Sequence, residues 1–330
     1  MAQSVDTTPA AGKGSGRGID HGFDSREYAA FEAYIASNAS APGLDESVEP
    51  PEVVTAAARV VAKWLRDAQG KAVVLTGAGV STGPGAALPT YRGPDGVWTR
   101  RIRNSLKLEE GSESDAATDA ADDDDGSGIA GVLASAEHKP QPTLTHRGLT
   151  ALVDAGLIGC VATTNVDGLH AAAGLVRGSN YAELHGSLYV EACSACGAEL
   201  CHNPLVDAPL QTVEPETRAT GTSCKACGGA MEATLVGFFD THQSVPSMEQ
   251  QFELAWVAAA TADLMIVLGS SLSVETTLPG YTLENGGRLV IVNLQPTHLD
   301  DQATLVVHAR SDDFVADLQV ALELPVCATR

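Results

Sequence analysis

Two cysteine pairs, Cys193-x2-Cys196 and Cys224-x2-Cys227, stand 27 residues apart. The chain between them must double back if the pairs are to meet. Each pair spans one edge of a tetrahedral Zn²⁺ as thiolates. Gly197 and Gly228 follow the second cysteine of each pair, where a metal knuckle turns tightly. The intervening stretch is long for a zinc ribbon but sufficient to form one. Four thiolates close the coordination shell, so the zinc is expected to be structural, with no open position to activate water. The total of seven cysteines is odd, and residues 1–18 contain no apolar core of a signal peptide. A secreted disulfide framework is therefore not expected. Cys160 lies in an apolar run and is expected to pack, whereas Cys201 and Cys327 receive no role.

The rest of the chain alternates helical and strand-like patterns. Residues 53–68 place Val54, Ala57, Val61, Trp64 and Leu65 at helical spacing. Residues 72–76 form a short apolar run that ends in a glycine-rich turn. Similar runs at 159–163, 262–268 and 288–292 predict further buried strands, and residues 143–154 and 314–324 predict helices. Strands of β-branched residues between helices predict an α/β fold with a parallel sheet. Residues 1–49 are rich in Ala, Ser, Gly, Asp and Pro and are expected to be a flexible extension, with a short helix within 23–38 as the alternative.

Charge narrows the functional classes. The chain carries 20 basic and 42 acidic residues, a net charge of −22. That balance argues against a broad electrostatic footprint for DNA or RNA. Nine of the acids lie in residues 108–128, and no Lys or Arg occurs between Lys107 and Lys139. This segment is expected to be a solvated loop, with a site for a basic partner as the alternative. No apolar run approaches the ~18 residues of a membrane span.

Three further constellations bear on chemistry. Gly77-Ala78-Gly79-Val80-Ser81-Thr82-Gly83 follows a predicted strand directly, as a turn that approaches a pyrophosphate requires. It is not a dehydrogenase fingerprint: the third glycine should fall at 82, which is Thr, and the acid expected ~20 positions on is replaced by Arg100. Residues 163–170 (TTNVDGLH) put polar groups at a strand's carboxyl end, where open α/β sheets bind ligands. His185, followed by Gly186, is a candidate general base near neutral pH. Taken singly, His146, His170 and His185 each read more readily as packed structural histidines.

Together these motifs resemble the sirtuins, the NAD-dependent protein lysine deacylases. The matching segments are GAGVST (77–82), YRGPDGVW (91–98), PTLTH (142–146), TNVDGLH (164–170), ELHG (183–186), both cysteine pairs, GSSLSV (269–274) and IVNLQPT (291–297). They follow the family's order from about residue 50 to 324. PPE at 50–52, YVEAC at 189–193 and GGRLVIVNLQPT at 286–297 resemble most the branch containing nuclear chromatin deacylases.

The resemblance implies a Rossmann-like NAD-binding domain from residues 50–96, 143–188 and 234–325. A small-domain insertion at 97–142 would carry the acidic segment, and a zinc module would occupy 189–233. NAD would be the co-substrate and zinc the structural ion. The cofactor would be held by Gly77, Ala78, Gly79, Ser81, Thr82, Tyr91, Arg92, Thr164, Asn165, Val166 and Asp167. Gly269, Ser270, Ser271, Asn293, Leu294 and Gln295 would hold the adenosine side. His185, Asn165 and Asp167 would be catalytic, with His185 removing a proton through the ribose hydroxyls. The products would be nicotinamide, free lysine and O-acyl-ADP-ribose. Acylated lysine peptides, histone tails among them, would pair with backbone at 235–238. An intracellular location, cytoplasmic or nuclear, would follow.

Three departures from the family pattern stand out. Thr164 replaces a Gln, Thr90-Tyr91 replaces Asp-Phe in the cofactor loop, and two extra residues appear near Ala86-Ala87. Mono-ADP-ribosyl transfer or NAD hydrolysis on the same fold is therefore the enzymatic alternative. An NAD-sensing scaffold is the non-enzymatic one.

Overall fold

The computed structural model describes residues 46–90, 96, 133, 139–213, 218–236, 245–274 and 277–327. The expectations for residues 1–45, for Tyr91 and Arg92, for the acidic segment 108–128 and for residues 237–238 fall outside the described residues.

Helix α1 (Pro51–Ala68) starts with proline in its first turn, where an amide proton would have no helical partner. Its buried stripe is Val54, Ala57, Ala58, Val61, Ala62, Leu65 and Ala68. Strand β1 (Ala72–Thr76) follows and is buried throughout. The remaining main elements are α2 (Leu144–Asp154), β2 (Cys160–Thr163), α3 (Leu169–Ala172), β3 (Tyr181–Glu183), β4 (Val190–Cys193), β5 (Glu199–Cys201), β6 (Ala219–Ser223), β7 (Ala230–Ala233), α4 (Met248–Ala260), β8 (Leu264–Leu268), α5 (Thr277–Glu284), β9 (Arg288–Val292), β10 (Leu305–Val307) and α6 (Ser311–Ala321).

Six strands form one sheet in the order β10-β9-β8-β1-β2-β3. All of its pairings are parallel. Successive strand residues face opposite sides. Val74, Val161, Ile266 and Val290 meet α1, α2 and α6 on one side. Val73, Ala162, Met265 and Leu289 join the core on the other side, with Ala255 of α4 and Leu278 of α5. A side chain on either face is sealed from water, which is why the strands are apolar runs without alternation.

A second sheet, β5-β4-β7-β6, is antiparallel. It is built from residues 190–233 and carries the four cysteines. No described helix is long and apolar enough to cross a membrane.

Several predicted boundaries shift. The strand expected at 262–268 begins at Leu264, and that expected at 159–163 begins at Cys160. The helix expected at 314–324 runs over Ser311–Ala321, with Asp312 and Asp313 in a first turn that favours negative charge.

Candidate active site

The chain moves from β1 outward to β2 and β3, then returns to β8 on the other side of β1 and continues to β9 and β10. The carboxyl ends of β1 and β8 therefore flank the point where strand order reverses, the usual ligand crevice of such sheets. There the two loops interlock. Gly77 N–H donates to Leu268 O (3.1 Å), and Gly79 N–H donates to Gly269 O (2.8 Å). A Cβ on Gly79 would lie 2.7 Å from Gly269 Cα, and Gly269 itself has φ +58°. Neither position tolerates a side chain, and a short 3₁₀ turn, Ala78–Ser81, follows.

The polar centre of the crevice joins this turn to the loop after β2. Asn165 Nδ2 donates to Gly77 O (3.1 Å) and to Ser81 Oγ (3.2 Å). Ser81 Oγ donates to Asp167 Oδ2 (2.7 Å), and Leu169 N–H donates to Asp167 Oδ1 (3.0 Å). Asn165 and Asp167 are 5% and 4% exposed. Burial holds the Asp167 carboxyl above the ordinary carboxylate range, against the lowering effect of those two hydrogen bonds. Ala78, Ser81, Leu88, Pro89, Asn165, Val166 and Asp167 line a small cleft. Leu88, Pro89 and Val166 give it an apolar lining, and Ser81, Asn165 and Asp167 supply its hydrogen-bonding groups.

The neighbouring predicted residues have local partners. Thr82 Oγ1 donates to Gly79 O (3.0 Å). Thr164 Oγ1 donates inward to Thr76 O (3.3 Å). Ser270 Oγ accepts Leu272 N–H (3.2 Å), and Ser271 Oγ accepts from Ser273 Oγ (3.0 Å). Asn293 directly follows β9, where its Nδ2 donates to Gln295 O (2.8 Å), and Leu294 O accepts Ser47 N–H (2.9 Å). The loops bearing these groups all leave the carboxyl edge of the main sheet.

His185 follows β3 at the same edge and is half-buried. Its carbonyl accepts Val236 N–H (2.9 Å). Gly186 has φ +70°, and a Cβ there would lie 1.8 Å from Thr234 O. The segment leaving β7 thus presses directly on the His185 turn, and only glycine leaves it room. Two residues earlier, the buried Glu183 pairs with Arg177 and accepts the Tyr181 hydroxyl (2.9 Å). Arg177 Nε also reaches Glu199 of β5 (3.2 Å), so one guanidinium fastens the second sheet to the strand that carries His185.

The four cysteines form a compact cluster whose Sγ atoms all lie within 4.8 Å of one another. Cys193 and Cys227 Sγ are 3.5 Å apart, and Cys196 and Cys224 Sγ are 3.7 Å apart. Zn–S bonds of about 2.3 Å give tetrahedral edges of about 3.8 Å, so the donor set fits Zn²⁺. Cys160 is packed in the core, where burial pushes its thiol up to about 12.

Sequence reasoning missed the bridging role of Ser81, which joins residues far apart in the chain. It also left His146 and His170 open; both are fully buried.

The parallel sheet with its glycine crevice and the four-cysteine sheet define a Rossmann-like nucleotide-binding fold that carries a metal-binding module. The Sir2 family profile matches residues 77–276, and the chain belongs to that family. It is 35% identical over 288 residues to NAD-dependent protein deacetylase sirtuin-7 of Bos taurus, covering 85% of this chain and 64% of the relative. It is 34% identical over 255 residues to NAD-dependent protein deacetylase 1 of Geobacillus kaustophilus, covering 76% of this chain and 92% of the relative. The sirtuin-7 and SRT1 relatives agree with the branch expected from the motifs. Against those two kinds of relative, the chain spans only 64% and 52% of their length. A solved Sir2–p53 peptide–NAD⁺ complex superposes with TM-score 0.52 at 29% identity, over 79% of this chain and 96% of that one.

Proposed function

We propose that the chain is an NAD-dependent protein lysine deacylase. The observation that carries this reading is the convergence of Asn165, Ser81 and Asp167 on the glycine turn, at the sheet edge that also bears His185. Gly77, Ala78 and Gly79 present backbone to the pyrophosphate, and Gly269 to Ser271 with Asn293 to Gln295 receive the adenosine half. Asp167 binds the nicotinamide carboxamide. Asn165 holds the ribose hydroxyls or a water. Bound NAD supplies a ribose carbon that becomes electrophilic as nicotinamide leaves. The acyl oxygen of the lysine would bond to that carbon, and His185 would take a proton from the ribose hydroxyls so that a ribose oxygen bonds to the acyl carbon. Water would then break the acyl carbon's bond to the lysine nitrogen, giving free lysine and O-acyl-ADP-ribose. The peptide lies extended against the backbone near Leu235 and Val236. The four cysteines hold a structural zinc in a module spanning 189–233, beside an insertion spanning 97–142. Acylated basic tails, histone tails among them, are the favoured substrates, and a cytoplasmic or nuclear location suits them.

A second reading, mono-ADP-ribosyl transfer or NAD hydrolysis, is favoured by one observation. The Thr164 hydroxyl is spent on Thr76 O, and Thr164 is not among the residues that line the cleft. Incubation with NAD and a panel of acyl-lysine peptides, followed by mass spectrometry, separates the two readings. Deacylation yields free lysine peptide and O-acyl-ADP-ribose. ADP-ribosylated protein or free ADP-ribose without peptide deacylation supports the second reading.

A further inference from the structure

A buried polar line runs beneath the cleft, and the chemistry above makes no use of its centre. At one end, Thr143 N–H donates to His146 Nδ1 (3.1 Å), and the single proton of Thr143 Oγ1 is shared between His146 Nδ1 (2.8 Å) and Val80 O (2.9 Å). A backbone N–H only donates, so His146 Nδ1 bears a lone pair and the neutral ring keeps its proton on Nε2. At the other end, His170 Nε2 lies 2.9 Å from Thr76 Oγ1. The Thr76 hydroxyl donates to Thr163 Oγ1 (2.7 Å), and the Thr163 hydroxyl is directed at Thr76 O (3.4 Å). Thr76 Oγ1 is thereby left to accept, so His170 carries its proton on Nε2 and its lone pair on Nδ1. Thr163 Oγ1 finally accepts Asn165 N–H (3.1 Å).

The two inner nitrogens, His146 Nε2 and His170 Nδ1, are buried and have no hydrogen-bond partner. The rings are in contact, with centroids 4.5 Å apart and planes tilted by 53°. Outer bonds have made one inner atom a donor and the other an acceptor. Unpartnered, each is costly in a dry interior, and together they are complementary. Burial also disfavours the imidazolium form of both rings.

We propose that His146 and His170 form a neutral donor–acceptor imidazole pair that positions Asn165 and the Val80–Ser81 turn for the reaction. Both are positioning residues. Pairing of the two inner nitrogens would join the two lips of the cleft through one buried strut: Val80 through Thr143, and Asn165 through Thr163. Its kinetic consequence rests on the deacylase reading, whereas its proton arrangement does not.

Two measurements on the full chain test it. Long-range ¹H–¹⁵N NMR of histidine-labelled protein at pH 7, assigned with His146→Gln and His170→Gln variants, reports each ring's tautomer. Unprotonated Nδ1 and protonated Nε2 on both rings are expected; an Nδ1–H or an imidazolium on either ring overturns the pair. This arm needs no turnover, so it decides the matter even if the wild-type chain fails to deacylate. In the kinetic arm, His170→Phe keeps a ring in the core but removes both nitrogens. Loss of a strut that aligns reacting groups should lower kcat ~10-fold or more while KM for the acyl peptide stays within about twofold. His170→Gln, which restores a donor toward Thr76 Oγ1, should recover part of that loss. Equal or higher kcat for Phe than for Gln would reduce His170 to a filler and overturn the positioning role.

Discussion

Ser81 Oγ donates to Asp167 Oδ2 at 2.7 Å while accepting from Asn165 Nδ2 at 3.2 Å. One hydroxyl therefore fixes both polar groups of the cleft relative to the glycine turn. Ser81→Ala leaves a buried carboxylate oxygen and a buried amide proton each short of a partner. The expected stability loss is ~1–3 kcal/mol, read by chemical denaturation. Misalignment of the two groups should cost turnover up to ~10²-fold. An unchanged kcat would remove Ser81 from the positioning of Asn165 and Asp167.

The cysteine cluster predicts one zinc per chain. Cys224→Ser should lower bound zinc well below one equivalent and destabilise the 190–233 sheet, because metal binding and folding of such modules are coupled. Because Arg177 joins Glu199 of that sheet to Glu183, the disturbance should reach the His185 turn. Elemental analysis together with thermal unfolding checks this. Folded, stable protein without zinc would refute it.

Thr164 spends its hydroxyl on Thr76 O, which also accepts Thr164 N–H at 3.1 Å. Thr164→Gln gives up only the redundant contact and extends an amide toward the cofactor side. A recovered hydrogen bond of ~0.5–1.5 kcal/mol should speed deacylation by up to ~10-fold. It should also lower the fraction of NAD hydrolysed without acyl transfer. Product ratios from the two proteins provide the comparison, and slower deacylation by the Gln variant would show that Thr164 suits this loop as it stands.

Acid should expose the buried imidazoles. Burial depresses His170 from its ordinary value near 6.5 to about 3, and lowers His146 as well. Below pH 6.5 the unfolded chain binds a proton on each ring that the native chain does not. Stability therefore falls with decreasing pH, by ~1.4 kcal/mol per unit for each ring, until the native ring itself protonates. Asp167 and Glu183, whose carboxyls burial raises, act in the opposite sense as they take up protons in the native state. Comparing wild type with His170→Phe between pH 7 and 5 isolates one ring. The variant's stability should fall less steeply by one proton's slope, and parallel curves would contradict the shift.

Features written into short stretches were legible in the sequence. β1 and its glycine turn, the two cysteine pairs and the Asn165-Val166-Asp167 loop each carry their signal within a few residues. What escaped depends on distant segments meeting. β3 and β10 are three residues each, too short for periodicity to register. The need for glycine at 186 arises from Thr234 O, which lies in the chain just after the cysteine-bearing segment, 48 residues on. His146 and His170 looked like isolated histidines because nothing in the sequence places their rings in contact. Ser81 looked like one more residue of a phosphate turn, and its tie to Asp167 appears only once β1 and β2 pair.

The central claim is that His185 moves the proton that commits NAD cleavage to acyl transfer. Wild-type and His185→Ala protein, each with NAD and one acetyl-lysine peptide, should be compared by quantifying nicotinamide, deacetylated peptide and O-acetyl-ADP-ribose together. The account predicts deacetylated peptide and O-acetyl-ADP-ribose in equal amounts from the wild type, with nicotinamide in excess by the NAD hydrolysed without acyl transfer. From the variant it predicts a ~10²–10⁴-fold loss of O-acetyl-ADP-ribose, with nicotinamide release partly retained. Undiminished O-acetyl-ADP-ribose from His185→Ala would contradict it.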